Sequence, residues 1–186
     1  MDQGQGAASD LPALPDSYTV HAIHLVRTAT QANLTLSQMA DQKASILMGA
    51  TFVVFTISVG QAGRGDFPLA LLVLAISAFV SAFCAVAAIL PSIRPPRGTP
   101  GSENLLFFGV FTQLSEAEFT ERVLRQLGGD ETVFRTMLRD IYQNGQVLQR
   151  KKYRYLGLAY RIFLGGLTLT LIAFLFEGRE ALMRIF

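Results

Sequence analysis

The side chains best suited to binding an anion are concentrated in one short run, made of Arg150, Lys151, Lys152 and Arg154. Arginine and lysine neutralise phosphate oxygens and donate hydrogen bonds to them, so this run could hold the phosphates of a nucleotide or an oligonucleotide. It also comes just before an apolar segment, where basic clusters commonly contact anionic lipid headgroups or set the orientation of a membrane protein. The sequence leaves both roles open.

A second charged group lies at the start of a long uncharged stretch. Asp41 and Lys43 precede residues 44–63, which carry no charged side chain. Charge at the mouth of a membrane span is costly unless it is paired or reaches the surface. Two interpretations follow for Asp41 and Lys43 and for Ala44 and Ser45, which come next in the sequence. In one, these residues only mark the membrane surface. In the other, Asp41 pairs with a basic residue of a neighbouring helix and fixes the junction between the membrane span and the part of the helix outside it.

The sequence contains no arrangement typical of an enzyme. It has no Ser/His/Asp set and no glycine-rich phosphate loop. His21, His24 and Arg27 share one helix face, but no carboxylate or cysteine completes a metal site beside them. Cys84, the single cysteine, lies in an apolar run where it fills space. We expect no catalytic residues, no metal and no cofactor, and the net charge of +2 gives no reason to expect a duplex nucleic acid target.

Three apolar segments position these residues. A bilayer's hydrocarbon core takes about 20 helical residues, and 51% of the chain is hydrophobic. We predict membrane spans at 44–63, 67–91 and 155–176. The third is the weakest, because only fifteen uncharged residues, 162–176, separate the charges that flank it. The chain is thus predicted to be an all-α membrane protein with about three transmembrane helices.

Polar helical segments flank the spans. Residues 18–43 are predicted to continue the first span as one long helix, and 92–154 to form a helical region whose last helix runs on into the third span. In that region Ser115 begins a capping box and Asp130 is expected to cap the next helix. Two of the long helices should therefore extend beyond the membrane on one side, as a stalk or crown.

The two ends of the chain are expected to lie on opposite sides of the membrane. Residues 1–17, rich in Gly, Ala, Asp and Pro, are predicted to be a disordered tail, and 177–186 a short tail on the far side. Twelve of the sixteen Lys and Arg residues fall in the N-terminal segment and in 92–155, whereas three fall on the opposite side. Because cytoplasmic segments carry the excess of Lys and Arg, the N-terminus is predicted to be cytoplasmic and the C-terminus extracytoplasmic.

Two further patterns concern the spans themselves. The second span carries small residues at four-residue steps, which allow close helix packing in lipid either within one subunit or between subunits. These residues are Ser77, Ala78, Ser81, Ala82 and Ala85. The first span carries a weakly polar stripe interrupted by an aromatic ring, a pattern that fits a pore lining and fits core packing equally well. This stripe is Ser45, Gly49, Phe52 and Thr56.

The Asp41-Gln42-Lys43-Ala44-Ser45 motif resembles the Pycsar effector transmembrane family. The likeness extends over most of the chain after residue 18, through Phe107-Phe108-Gly109, Glu118-Phe119, Ile141-Tyr142-Gln143-Asn144, Lys152-Tyr153 and Tyr160. The resemblance implies a bacterial inner-membrane protein that performs the membrane-damaging step of anti-phage immunity. It also implies a nucleotide or oligonucleotide signal made by a partner cyclase or nucleotidyltransferase.

One departure from the family pattern concerns how that signal is sensed. Members that respond to cyclic pyrimidine mononucleotides can carry a separate cyclic-nucleotide-binding domain, and this chain has no β-rich segment to form one. The signal would then bind on the helical region, between subunits, or be an elongated oligonucleotide. Three spans cannot enclose an aqueous path, so we expect a homo-oligomer in the lipid bilayer that forms a pore or channel, or otherwise disrupts the membrane. The alternative is a non-conducting scaffold that recruits a cytoplasmic partner through residues 92–154.

Overall fold

The computed structural model describes Pro15 and residues 17–62, 68–91 and 103–183, with side chains except those of Ala62 and of 178–183. All regular secondary structure in this part of the chain is helical. The α-helices are α1 (Ala22–Ala62), α2 (Leu69–Ile89), α3 (Phe108–Phe111), α4 (Glu116–Gln126), α5 (Asp130–Val147) and α6 (Arg154–Met183). A π-helical segment, Leu148–Tyr153, joins α5 directly to α6.

Three helical stretches in the described residues are long and apolar enough to cross a membrane. They are α1, α2 and the continuous stretch Asp130–Glu177, which combines α5, the π-helical segment and most of α6. α1 has 41 residues and is therefore about 60 Å long, roughly twice the thickness of a hydrocarbon core. The predicted fold class, an all-α membrane protein with two helices extended beyond the membrane, is confirmed.

The three spans form an antiparallel bundle. Leu47 of α1 packs with Cys84 and Ala85 of α2 and with Ala159 of α6 in one buried cluster. Further along α1, the ring of Phe55 lies 5.8 Å from that of Phe79, so residue numbers rise along α1 while they fall along α2. α2 packs extensively against both α1 and α6. Small side chains fill the interior, and large ones point outward, as expected in lipid, where exposing apolar side chains carries no penalty.

The extended parts of the first and last long helices lie on the same side of this bundle and form what we call the stalk, residues 22–43 with 103–153. The ring of Phe134 in α5 makes an edge contact with Tyr18, at a centroid distance of 4.9 Å. Asn33 Nδ2 donates a hydrogen bond of 3.0 Å to the Ile141 carbonyl oxygen. These contacts hold α1 and α5 side by side above the membrane bundle.

The helix ends follow local sequence signals, with one exception. Pro68 is the N-cap of α2, and the Ser115 hydroxyl accepts a 3.3 Å hydrogen bond from the Glu118 N–H at the start of α4. The prediction that Asp130 caps α5 is wrong by one residue, because Gly129 is the N-cap. Asp130 lies instead in the first turn, where its carboxylate interacts favourably with the positive end of the helix dipole.

Several expectations lie outside the described residues. They concern most of the N-terminal tail at 1–17, the turn between the first two spans at 63–66, the start of the region 92–154, and the last three residues of the chain.

Candidate functional site at the base of the stalk

Asp41 and Lys152 form an ion pair where the stalk meets the membrane bundle. Lys152 Nζ lies 2.8 Å from Asp41 Oδ1 and 2.6 Å from Asp41 Oδ2, and it also donates a hydrogen bond of 2.7 Å to Ser37 Oγ. Hydrogen bonds between charged groups are among the strongest in proteins. The pair therefore joins α1 to the π-helical segment, and Lys152 is the basic partner on a neighbouring helix that one interpretation of Asp41 required.

The pair lies above a buried apolar cluster. Ala40 and Ala44 of α1 pack there with Ala88 of α2 and with Leu148 and Leu156, which lie on either side of the basic run. Because alanine allows close approach, the backbone of α1 comes near the π-helical segment at this level. The cluster thus fixes the two helices at the separation at which a lysine and an aspartate can meet.

The π-helical segment is the element that sequence reasoning missed. A π-helix widens the turn relative to an α-helix and changes the direction in which the following side chains leave the axis. In this protein it spans Leu148–Tyr153 and so contains three of the four residues of the basic run. Such segments occur frequently at functional sites, and nothing in the residue types of this segment distinguishes it from an ordinary helix.

The basic run does not form a single patch. Lys152 is held by Asp41, and Lys151 Nζ donates a 3.3 Å hydrogen bond to the carbonyl oxygen of Pro91, at the end of α2. Arg150 and Arg154 are exposed and form no ion pair within the described part of the chain. Two of the four cations therefore face the protein and two face outward.

The residues around Asp41 also separate by direction. Ala44 is completely buried, whereas Lys43 and Ser45 are exposed. The Ser45 hydroxyl donates a 2.9 Å hydrogen bond to the Asp41 carbonyl oxygen and so stays within its own helix. Within this motif, Ala44 therefore points into the protein, the Asp41 carboxylate points toward the last long helix, and Lys43 points outward.

A cleft opens beside the ion pair, between α1, α5 and the segment that carries α3. Its volume is about 640 Å³, and an adjoining cavity of about 160 Å³ shares Thr30, Asp140, Asn144 and Lys152 with it. Most of its remaining wall is apolar and comes from the end of α2 and from residues 106–108. We call the two together the junction cleft. A volume of this size and a largely apolar wall with a few polar groups are typical of small-molecule sites.

A second, more polar depression of about 330 Å³ lies higher in the stalk. Three arginines contribute to it, but Arg122 bonds Glu103 at 2.8 Å and Glu118 at 2.7 Å, and Arg125 is paired with Glu121. The hydrogen bond that Arg122 donates to Glu103, followed by the one that it donates to Glu118, raises the pKa of Arg122 above its usual value. Since carboxylates already neutralise two of its cations, this depression is a weaker anion site than its composition implies.

The weakly polar stripe of the first span faces away from the bundle. Ser45, Gly49, Phe52 and Thr56 are all exposed in the single chain. The Thr56 hydroxyl donates a 2.9 Å hydrogen bond to the Phe52 carbonyl oxygen, which satisfies it within its own helix. Core packing within one chain therefore does not account for the stripe.

The small residues of α2, by contrast, pack mainly within the chain. Ala78, Ser81 and Ala85 are completely buried, while Ser77 and Ala82 are partly exposed. Ser81 Oγ donates a 2.8 Å hydrogen bond to the Ala159 carbonyl oxygen of α6. These residues allow α6 to lie close against α2.

Fold and site together define a class: an α-helical membrane protein with three spans, whose stalk is tied to the spans by an ion pair at the membrane junction. The chain belongs to the Pycsar effector family, since the model of the Pycsar effector protein domain matches residues 24–177. Membership makes it a membrane effector of anti-phage defence in a non-enzymatic effector family, and implies a cyclic nucleotide signal from a partner cyclase. No curated protein and no solved structure is significantly similar to the chain.

Proposed function

We propose that the protein is a homo-oligomeric effector of the bacterial inner membrane that forms a pore, or otherwise disrupts the bilayer, when its stalk receives a nucleotide signal. The observation that carries this proposal is the Asp41–Lys152 ion pair. It lies where α5 becomes α6, so a change in the packing of the stalk is transmitted along one continuous helix into the third span.

Oligomerisation is inferred from the tight packing of the three helices within one chain. The interior between α1, α2 and α6 is filled by small side chains such as Ala78 and Ala85, and it leaves no room for a water-filled path. A conducting assembly therefore needs several copies around an axis. The exposed stripe of α1 could line a pore along this axis, because it is weakly polar and its one aromatic residue, Phe52, could form a constriction.

The proposed orientation of the chain gives the stalk access to a signal made in the cytoplasm. Most of the Lys and Arg residues belong to the stalk side, which supports a cytoplasmic stalk and N-terminus and an extracytoplasmic C-terminus. A cyclase or nucleotidyltransferase releases its product into the cytoplasm. The stalk is thus the part of the protein that the product can reach.

The basic run supplies phosphate-binding groups. Arg150, Lys151, Lys152 and Arg154 lie at the level where the stalk meets the spans, and each could contact a phosphate of a cyclic nucleotide or of a short oligonucleotide. Binding there would act directly on the π-helical segment. The signal and the spans are then coupled over a few residues rather than across the length of the stalk.

The proposal is tested with purified full-length protein in liposomes that contain a self-quenching dye. Cyclic mononucleotides and short single-stranded oligonucleotides are added in turn, with protein-free liposomes as the control. We expect dye or ion release with at least one of these compounds. Binding of a compound without any release would favour the scaffold that recruits a partner through residues 92–154, and would overturn the pore.

A further inference from the structure

We propose that the junction cleft binds a phosphodiester that carries an apolar or aromatic body, and that the bound phosphate takes Lys152 away from Asp41. Binding to the cleft can be measured by itself. Only the expected result of binding, a pore or other disruption of the membrane, rests on the proposed function. Two sources share this ligand chemistry: a free cyclic mononucleotide and the headgroup region of an anionic phospholipid.

The wall of the cleft fits the body of such a ligand. Leu90 and Pro91 at the end of α2 form one part of it, and the Phe107 and Phe108 rings, 5.2 Å apart, form another. Phe107 is buried, whereas Phe108 is exposed and free to contact a ligand. Aromatic rings stack on nucleobases and also pack against acyl chains, so this surface suits either source.

The cations of the cleft fit one phosphate. Lys151 Nζ bonds only the Pro91 carbonyl oxygen among the described residues, so no carboxylate there neutralises its charge. Lys152 lines the same cleft and supplies a second ammonium group when it leaves Asp41. Two lysines that reach one cavity from adjacent positions can neutralise and hydrogen-bond a single phosphate.

The remaining polar groups limit the charge that the ligand can carry. Asp140 lines the cleft, and its carboxylate accepts a 2.9 Å hydrogen bond from Asn104 Nδ2. A carboxylate repels a polyphosphate but accepts hydrogen bonds from a hydroxyl or amino group, and Asn144 can both donate and accept. The cleft therefore favours a singly charged diester with hydroxyl or amino groups over a nucleoside triphosphate.

Asp41 is the residue that can give up its partner. Its side chain is 40% exposed, whereas that of Lys152 is 18% exposed. Water can therefore solvate the Asp41 carboxylate when Lys152 leaves, while Lys152 stays in a largely enclosed position and needs another anion. A phosphate in the cleft meets that need. Binding of the ligand thus exchanges one ion pair for another and releases α1 from the π-helical segment.

The test measures binding to full-length protein in nanodiscs. The soluble probes are 3′,5′-cyclic mononucleotides of each base, with a nucleoside triphosphate for comparison, and the lipid probe is the change from a neutral bilayer to one containing phosphatidylglycerol. Lys151→Gln should weaken binding of the effective probe about tenfold, as expected for one lost charged hydrogen bond. Arg27→Gln, an exposed stalk cation outside the cleft, is the matched control and should leave it unchanged.

Asp41→Asn distinguishes exchange from simple binding. Removing the competing carboxylate should tighten binding of the same probe, an effect opposite in sign to that of Lys151→Gln and not expected from a misfolded variant. If only a cyclic mononucleotide responds in this way the ligand is the soluble signal, and if only phosphatidylglycerol does it is a lipid. The inference is overturned if no probe depends on Lys151, if the triphosphate binds best, or if Asp41→Asn weakens binding. Lysine-dependent binding without membrane release would leave the inference intact and contradict the proposed function instead.

Discussion

Ser77 of α2 lies directly against Gly166 of α6. A Cβ atom added to Gly166 would stand 2.1 Å from Ser77 Oγ and 2.2 Å from Ser77 Cβ, far inside contact distance. Rotation of the Ser77 side chain can move Oγ but not Cβ, which is bonded to the backbone, so a larger residue at 166 forces the two helices apart. The second and third spans are therefore in close contact at Gly166.

This contact predicts an asymmetry between two neighbouring glycines. Gly166→Ala should lower the free energy of unfolding by about 1 to 3 kcal/mol, because overpacking displaces backbone. Gly165→Ala, where nothing lies within 4 Å of the added Cβ, is the control and should be neutral or slightly stabilising in a helix. Thermal unfolding of both variants in the same detergent measures the difference. Equal stability of the two would mean that α2 and α6 do not approach as closely as described.

The distribution of Lys and Arg predicts the topology. Reporter fusions placed after Leu14 and after Phe186 should report opposite sides of the membrane, with the first in the cytoplasm. A pair of reporters, one active only in the cytoplasm and one only outside, makes each fusion its own control. If both ends report the same side, the number of spans is even and the third does not cross.

The exposed stripe of α1 predicts which face of that helix meets water. Replacing Cys84 by Ala gives a cysteine-free background, into which Thr56→Cys or Ile57→Cys is introduced. Both positions are exposed in the single chain, but Ile57 lies outside the stripe. In the assembly opened by its signal, a membrane-impermeant thiol reagent should modify the cysteine at 56 and spare that at 57. Equal modification, or a preference for 57, would exclude the stripe as the pore lining.

The sequence was sufficient to predict the long helices, but it was not sufficient to predict how these helices pack against one another. Runs such as 44–63 carry their own evidence of length and polarity, and Pro68 and Ser115 mark helix starts through local chemistry. Asp41 could be expected to need a basic partner, but its partner is 111 residues away, and several lysines and arginines were equally suitable by type. The choice of Lys152 depends on the π-helical turn and on the cluster around Leu148, both of which are products of tertiary packing.

The junction cleft was hidden for the same reason. Leu90, Phe107 and the pair Asn144 and Lys151 belong to three separate segments, and no spacing along the chain connects these segments. The basic run also looked uniform, whereas two of its members point inward and two outward. The residue types of the basic run predicted that it could bind phosphate. Only the packing of α1 against the π-helical segment indicates which of its lysines share a cavity.

The most direct test of the account is the passive ion permeability of proteoliposomes that contain the Asp41→Asn variant, measured without any nucleotide. If the Asp41–Lys152 pair holds the spans in the closed arrangement, this variant should leak ions while the wild type stays tight. The charge-reversed double variant, Asp41→Lys with Lys152→Asp, should restore tightness because it re-forms the pair with opposite polarity. Liposomes of Asp41→Asn as tight as those of the wild type, at equal protein incorporation, would contradict the claim that this ion pair couples the stalk to the membrane.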